Sequence, residues 1–180
     1  MPVTINGSGS ISGLASGGIS DAGAIASGVI TSSALPTGSV IQVKHAQTKS
    51  NSTQTSGSYV NFANLDVSIT PTSSSNLLVF QYNMIVRVRE NNSNGAFAWF
   101  AVSDDDGSSY LAENYHRNYD YGGSGCDLDS GACGYAIKTA GSTSARTYKM
   151  YLKLGDGDSY EINPAGNQNN SAVTVMEIAA

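Results

Sequence analysis

The sequence predicts an all-β fold, a jelly-roll, β-sandwich or barrel domain behind an extended N-terminal arm, and three observations carry the prediction. Apolar and polar residues alternate in run after run beyond residue 38. Turn clusters interrupt those runs about every 8 to 15 residues. No segment repeats its hydrophobes with the helical spacing of about 3.6 residues.

The arm comes first. Residues 1–34 hold seven glycines, eight serines, a single charge at Asp21 and no aromatic residue. The composition changes near Leu35–Pro36, so an arm over 1–37 is expected to precede a domain over 38–180. The arm's hydrophobes, Ile5, Ile11, Leu14, Ile19, Ile25, Val29 and Ile30, fit neither a helix nor a steady strand. Glycines between them allow close backbone approach to another surface, each aliphatic side chain filling a shallow pocket there. The expectation is a docking arm whose other half is supplied by a partner.

Strands follow in order. The run NLLVFQYNMIVRVR (76–89) places Leu78, Phe80, Tyr82, Met84, Val86 and Val88 on one face, with Gln81, Asn83, Arg87 and Arg89 on the other. Similar runs occupy 40–46, 58–62, 65–70, 96–103, 134–140, 145–154, 159–163 and 172–179, about nine strands in all. TPTSSSN, ENNSNG, DDDG and GDGD supply turns between them. AFAWFAVS (96–103) is apolar on both faces, with Phe97 and Trp99 opposite Ala96, Ala98 and Phe100. Such a strand is central in a sandwich or pressed against another subunit, and the neutral character of the chain favours the subunit.

Composition narrows the function. Of 180 residues, 40% are hydrophobic and 13% charged, which predicts a buried core under a neutral polar surface. The nine Lys and Arg residues are scattered and the net charge is -5, so no basic patch for nucleic acid is expected. No apolar run approaches the ~18 residues of a membrane span, and no secretion signal is read at the N-terminus. Neither membrane insertion nor secretory export is expected.

No catalytic constellation emerges. Neither His45 nor His116 lies near a nucleophile motif, and GSGSISG only approaches a nucleotide-binding glycine pattern. VSDDDGSSYLAE sets Asp104, Asp106, Gly107 and Glu113 on a calcium-loop template, but Val102 stands where its first carboxylate is needed, so a hairpin turn is the better reading. Asp156 and Asp158 in GDGD read the same way. Glu113, Asp120, Asp127 and Asp129 share one region, yet nothing marks any two as an acid pair for glycoside hydrolysis. No enzyme, cofactor or metal is expected.

Two features remain. ENYHRNYDYGGSGCDLDSGAC (113–133) reads as a long loop bearing Tyr115, His116, Arg117, Tyr119 and Tyr121. Tyr and Arg suit a recognition or subunit-contact loop, while the bland alternative packs the tyrosines on the end of the sandwich. Cys126 and Cys133 fit a small disulfide loop and two free thiols equally well, and half a zinc site less well.

Three stretches carry a resemblance: GSVIQV (38–43), SYVNFANLDVSITPTSSSNLLVFQYNM (58–84) and the segment 141–180, which ends SAVTVMEIAA. Their patterns, G-x-V-I-Q-V, S-I-T-P-x-S-x-S-N and S-x-x-T-x-M-E-I, resemble small virion structural proteins of tailed bacteriophages, marine and cyanobacterial phages above all. The resemblance spans about residues 38–180 and is weakest over 104–134. It implies a jelly-roll head of the C1q and tumour-necrosis-factor kind, assembled as a homotrimer on the virion exterior, with no activity and no cofactor. The cysteine pair and the Tyr-rich region depart from the family pattern. A protein made in host cytoplasm could form a disulfide only after release.

Three functions follow as expectations. The first is a capsid decoration or cement protein whose arm lies on the major capsid protein. The second is a short tail fibre or receptor-binding tip, joined by the arm to a tail adaptor and in contact with a host surface glycan. The third, a glycan depolymerase, lacks room for a shaft and a carboxylate cleft. Size favours the capsid, because 34 glycine-rich residues reach at most about 110 Å and are not stiff.

Overall fold

The alternating runs become eleven strands among the described residues, which in this computed structural model are 35–90, 95–119, 126–164 and 170–180. In chain order they are β1 (Val40–Thr48), β2 (Ser52–Gln54), β3 (Val60–Asn61), β4 (Val67–Ile69), β5 (Leu77–Glu90), β6 (Gly95–Ser103), β7 (Ala112–Tyr119), β8 (Cys126–Thr139), β9 (Arg146–Asp156), β10 (Ser159–Ile162) and β11 (Ser171–Ile178). The chain divides into two units, Met1–Leu35 and Pro36–Ala180. The arm hydrophobes Ile5, Ile11, Leu14, Ile19, Ile25, Val29 and Ile30 lie outside the described residues, as does Tyr121.

Every pairing is antiparallel. In the six-stranded sheet β5 is the axis: β8 runs along its whole length, from Leu77↔Thr139 to Glu90↔Cys126. On its other side β11 covers Leu77–Asn83 and β10 covers Val86–Arg89. β1 then flanks β11, and β2 flanks β10. The five-stranded sheet runs from β4 and β3 through β9 and β6 to β7. The chain changes sheet between β2 and β3, β4 and β5, β5 and β6, β7 and β8, β8 and β9, and β9 and β10. That repeated crossing makes the sandwich a jelly roll.

Between the sheets, Leu78, Phe80, Tyr82, Met84 and Val86 of β5 meet Ala96, Ala98, Phe100 and Val102 of β6 and Tyr148, Met150 and Leu152 of β9. Phe80 stacks on Tyr148 at 5.7 Å between centroids and Tyr82 on Phe100 at 6.3 Å, a contact class that adds about 0.5 to 1.5 kcal/mol to simple burial. Small side chains on β6 leave room for these rings. The inward face of β5 is the one its alternation predicts.

One buried carboxylate ties three distant stretches together. Glu177 on β11 is fully buried. Its Oε1 accepts from the Thr72 N–H (2.7 Å), the Thr72 hydroxyl (2.9 Å) and Asn76 Nδ2 (2.6 Å), and Oε2 accepts from Gln42 Nε2 (2.6 Å). Gln42 also donates to the Thr70 carbonyl at 2.7 Å. The GxVIQV, SITPxSxSN and MEI patterns therefore meet at one acid. Burial alone raises its pKa, but the bonds from Asn76, Gln42 and Thr72 outweigh it and hold the carboxyl below its ordinary value.

The structure corrects the sequence reading in two places. The expected loop over 113–133 is mostly strand: β7, and the first half of β8 paired with the far end of β5. β2 is an additional short strand, and 58–62 and 65–70 contract to Val60–Asn61 and Val67–Ile69. AFAWFAVS lies within its sheet between β7 and β9, so its apolar inner face meets the core, and its outer face meets rings of its own chain. The DDDG cluster is the β6–β7 hairpin turn, with Asp106 at φ 58° and Gly107 at φ 81°. GDGD carries the chain from one sheet to the other, and a Cβ at Gly157 (φ 108°) would lie 2.7 Å from Ala96 Cβ.

Candidate functional site

Two outer faces stand out. On the six-stranded sheet the register aligns Val43, Met176, Val79 and Ile137 side by side across β1, β11, β5 and β8. Val79 and Met176 each lie between two buried residues and Ile137 lies next to buried Ala136, so they point away from the sandwich, and Val43 shares their face as the cross-strand partner of Met176. Val43 and Ile137 are 53% and 57% exposed, and Tyr135, two residues from Ile137, is 65% exposed. Leu77 and Val40 extend the patch to the end of the sheet. An apolar row across four strands is what a partner surface covers.

On the five-stranded sheet Trp99 of β6 faces Tyr115 of β7 and Lys153 of β9. Trp99 and Tyr115 have centroids 5.4 Å apart, and Phe97 lies 6.2 Å from each. Phe97 rests on the backbone of Gly155, where a Cβ would collide with the ring. Phe97, Trp99, Tyr115 and Arg117 line a cleft of about 210 Å³. Lys153 Nζ sits 4.3 Å from the Tyr59 centroid and 5.4 Å from that of Trp99. Tyr59 donates to Glu113 at 2.7 Å; burial first, then that carboxylate, raises its pKa.

Strand alternation splits the residues expected to form one recognition loop. Tyr115, 62% exposed, joins the outer cluster with Arg117. His116 points the other way, and its Nε2 lies 2.5 Å from Ser130 Oγ, linking β7 to β8 across the gap between the sheets. Tyr119, the last residue of β7, pairs with Gly95 of β6, and its side chain lies outside the described set. Phe97, Trp99, Lys153 and Tyr59 were not read as site residues. The apolar outer half of AFAWFAVS is the signal for them in the sequence, where its two-sided apolar character favours a contact with another subunit.

The cysteines do not close a small loop. Both lie in β8, seven positions apart, which at about 3.3 Å per residue separates them far beyond the Cα distance of about 4.4 to 6.8 Å that a disulfide spans. Cys133 is a free, exposed thiol.

The acidic turn is already engaged. Asp104 is held by Lys138 at 3.0 Å and Arg146 at 3.2 Å, and Asp106 by Lys149 at 2.5 Å. Asp105 accepts from the hydroxyls of Ser109 (2.6 Å) and Ser103 (2.7 Å), which, with the Ser109 N–H, hold its carboxyl down at about 2. Of the four acids considered for glycoside cleavage, Glu113 accepts from Tyr59 and Asp129 pairs with Arg87 at 2.5 Å. Asp120 and the Asp127 side chain lie outside the described set. Among the described residues no group of three or more His, Cys, Asp or Glu could hold a metal.

The fold and its two faces define a jelly-roll sandwich with an apolar row on the outside of one sheet and an aromatic cluster on the outside of the other. No protein-family model and no characterised protein sequence matches the chain. Solved structures similar to it include Eiger TNF from S. frugiperda, at 10% identity and TM-score 0.44, covering 76% of this chain and 92% of that one. Another is the VP2 protein of infectious bursal disease virus, at 11% and 0.38, covering 77% of this chain but 36% of that one. A carbohydrate-binding module of Cellvibrio mixtus lichenase 5A, in complex with cellotriose, is similar at 11% and 0.33, covering 79% and 99%. Likenesses this distant say nothing about what the chain binds.

Proposed function

We propose that the protein is a non-enzymatic structural protein of a bacteriophage virion, a homotrimer on the particle exterior, anchored through residues 1–37 to another virion protein. A capsid decoration or cement role is the preferred form. The apolar row Val43–Met176–Val79–Ile137 carries the reading. It offers each copy one flat, neutral face for burial against its neighbours in a closed ring, and the opposite sheet stays outward.

Light scattering on the purified protein tests the assembly. The expected mass is three times the 18.6 kDa chain, falling to one chain in Val79→Lys and Ile137→Lys. A wild-type monomer removes the proposal. Electron microscopy of the virion tests location: many copies over the shell support decoration, and a few at the tail support the second reading. That reading, host attachment by a short tail fibre, is favoured by exposed Tyr115 beside Trp99. A depolymerase has no such support.

A further inference from the structure

We propose that the outer face of the five-stranded sheet binds a neutral polysaccharide, one pyranose ring stacking in the recess that Phe97, Trp99 and Tyr115 line. The inference deepens the host-attachment reading and rests on it only for the source of the glycan. It is tested on the purified protein, so either can fail without the other.

The sandwich does not need these rings where they are. Ala96, Ala98, Phe100 and Val102 fill the core from β6, so Phe97 and Trp99 occupy outward positions that would ordinarily be polar. Trp99 is the only tryptophan of the chain, and exposed Tyr115 stands directly across from it in β7. The backbone is shaped to them. β9 slips register against β6 at this point, so that Leu154 pairs with Ala98 and Asp156 with Phe97, and Gly155 is the extra residue. A bulge of this kind re-aims side chains beside binding sites, and the Phe97 ring lies where a Cβ of Gly155 would be. Trp99 and Tyr115 are inclined at 55°, and Phe97 stands at 72° and 73° to them, so the rings wall a recess rather than form a flat patch. Its volume of about 210 Å³ is below the ~300 Å³ at which sites for drug-sized ligands begin, which suits one ring of a longer chain. Lys153 bridges from Trp99 to Tyr59, whose ring lies 4.5 Å from that of Tyr110, so a second aromatic surface is in place for the next sugar.

The lining chooses the ligand class. A pyranose presents an apolar C–H face and a rim of hydroxyls, each both donor and acceptor. The rings match the face, and groups of both signs match the rim. Arg117 lines the recess and Lys153 faces Trp99 from β9. Against them, Asp156 pairs with Phe97, and Glu113 lies two residues from Tyr115 on the same face of β7. Glu113 accepts from the Tyr59 hydroxyl and Asp156 from the Gly157 N–H, neutral donors that leave both carboxylates charged and with lone pairs for a sugar hydroxyl. Two cations beside two carboxylates give the site no net sign, which favours a neutral ligand over an acidic or a basic one. The other sheet supplies the contrast with a contact between copies. Its row Val43–Met176–Val79–Ile137 is aliphatic and uncharged, as the core of a protein contact is, whereas the rings here are recessed and bordered by four charges.

Trp99 is its own reporter. Titrating the full chain with laminarihexaose, maltoheptaose and mannohexaose is expected to change Trp99 fluorescence saturably for at least one of the three. Oligogalacturonate and the chitosan hexamer, an acidic and a basic chain, should bind at least tenfold more weakly, and a tenfold rise in salt should leave the neutral affinity within twofold. Tyr115→Ala should weaken binding of the neutral chain tenfold or more, while Tyr115→Phe retains most of it. Unchanged thermal melting certifies each variant as folded. The proposal is overturned by no saturable response to any of the three neutral chains at millimolar concentration, by either charged chain binding as tightly as the best of them, or by undiminished binding in Tyr115→Ala. A change of subunit mass in Tyr115→Ala would also overturn it, by making the face a contact between copies. Adsorption of virions to host cells, measured separately, reports on the attachment reading alone.

Discussion

Glu177 shows what a single residue does in this sandwich. Its carboxylate is fully buried and takes four hydrogen bonds of 2.6 to 2.9 Å from Gln42, Thr72 and Asn76. Glu177→Gln sets an amide N–H₂ against one of those donors and is expected to cost roughly 2 to 3 kcal/mol in denaturant unfolding at pH 7. The acid's pKa is held below its ordinary value of 4.5 in the folded protein. Its contribution is therefore complete above 4.5 and is lost as pH falls through the lower folded value. Melting temperatures of wild type and Glu177→Gln should converge in that acid range; a gap constant with pH would refute the assignment. Tyr160 is the opposite case. It is fully buried, and among the described residues its hydroxyl finds no partner, so its pKa rises by burial alone. Tyr160→Phe is expected to leave the melting temperature unchanged or raise it, because an unmatched buried hydroxyl costs about 1 to 3 kcal/mol.

Among the elements, β8 was the hardest to read. CDLDSGACGYAIKT holds Asp, Ser and Gly, residues poor in strands, and only its last part alternates. Fourteen consecutive pairings to β5 override that propensity, and an edge strand tolerates polar outward residues. The extended conformation separates the cysteines, so alkylation and mass spectrometry of the non-reduced protein should find Cys133 as a free thiol and no Cys126–Cys133 peptide pair. β7 was hidden for a similar reason: ENYHRNY shows no apolar face because one side looks to solvent and the other to the gap beside β8. β5, β9 and β11 were legible because each has one face in the core and alternates accordingly. Gly155 was invisible as a site residue, since its role depends on Phe97 lying across it from the next strand. Gly155→Ala should displace that ring and lower the melting temperature by several degrees, without affecting the six-stranded sheet.

At the scale of the molecule, the two faces point to separate tasks. Substitutions on the six-stranded sheet should change mass and leave Trp99 fluorescence alone; substitutions on the five-stranded sheet should do the reverse. Light scattering and fluorescence on the same variants check this separation, and a Val79→Lys variant that also loses the fluorescence response would couple the faces. Alternation and turn spacing alone determined that the chain is all-β, that residues such as Phe80 and Met84 form its core, and where most strands run. These are local properties, set by which face of each strand avoids water. The tertiary structure decided the rest. Sheet order placed Val43, Met176, Val79 and Ile137 in one row, gathered three sequence patterns around Glu177, and set Trp99 beside Tyr115. Each of these depends on register between strands distant in sequence, and register arises from pairing across the whole sandwich rather than from any one segment.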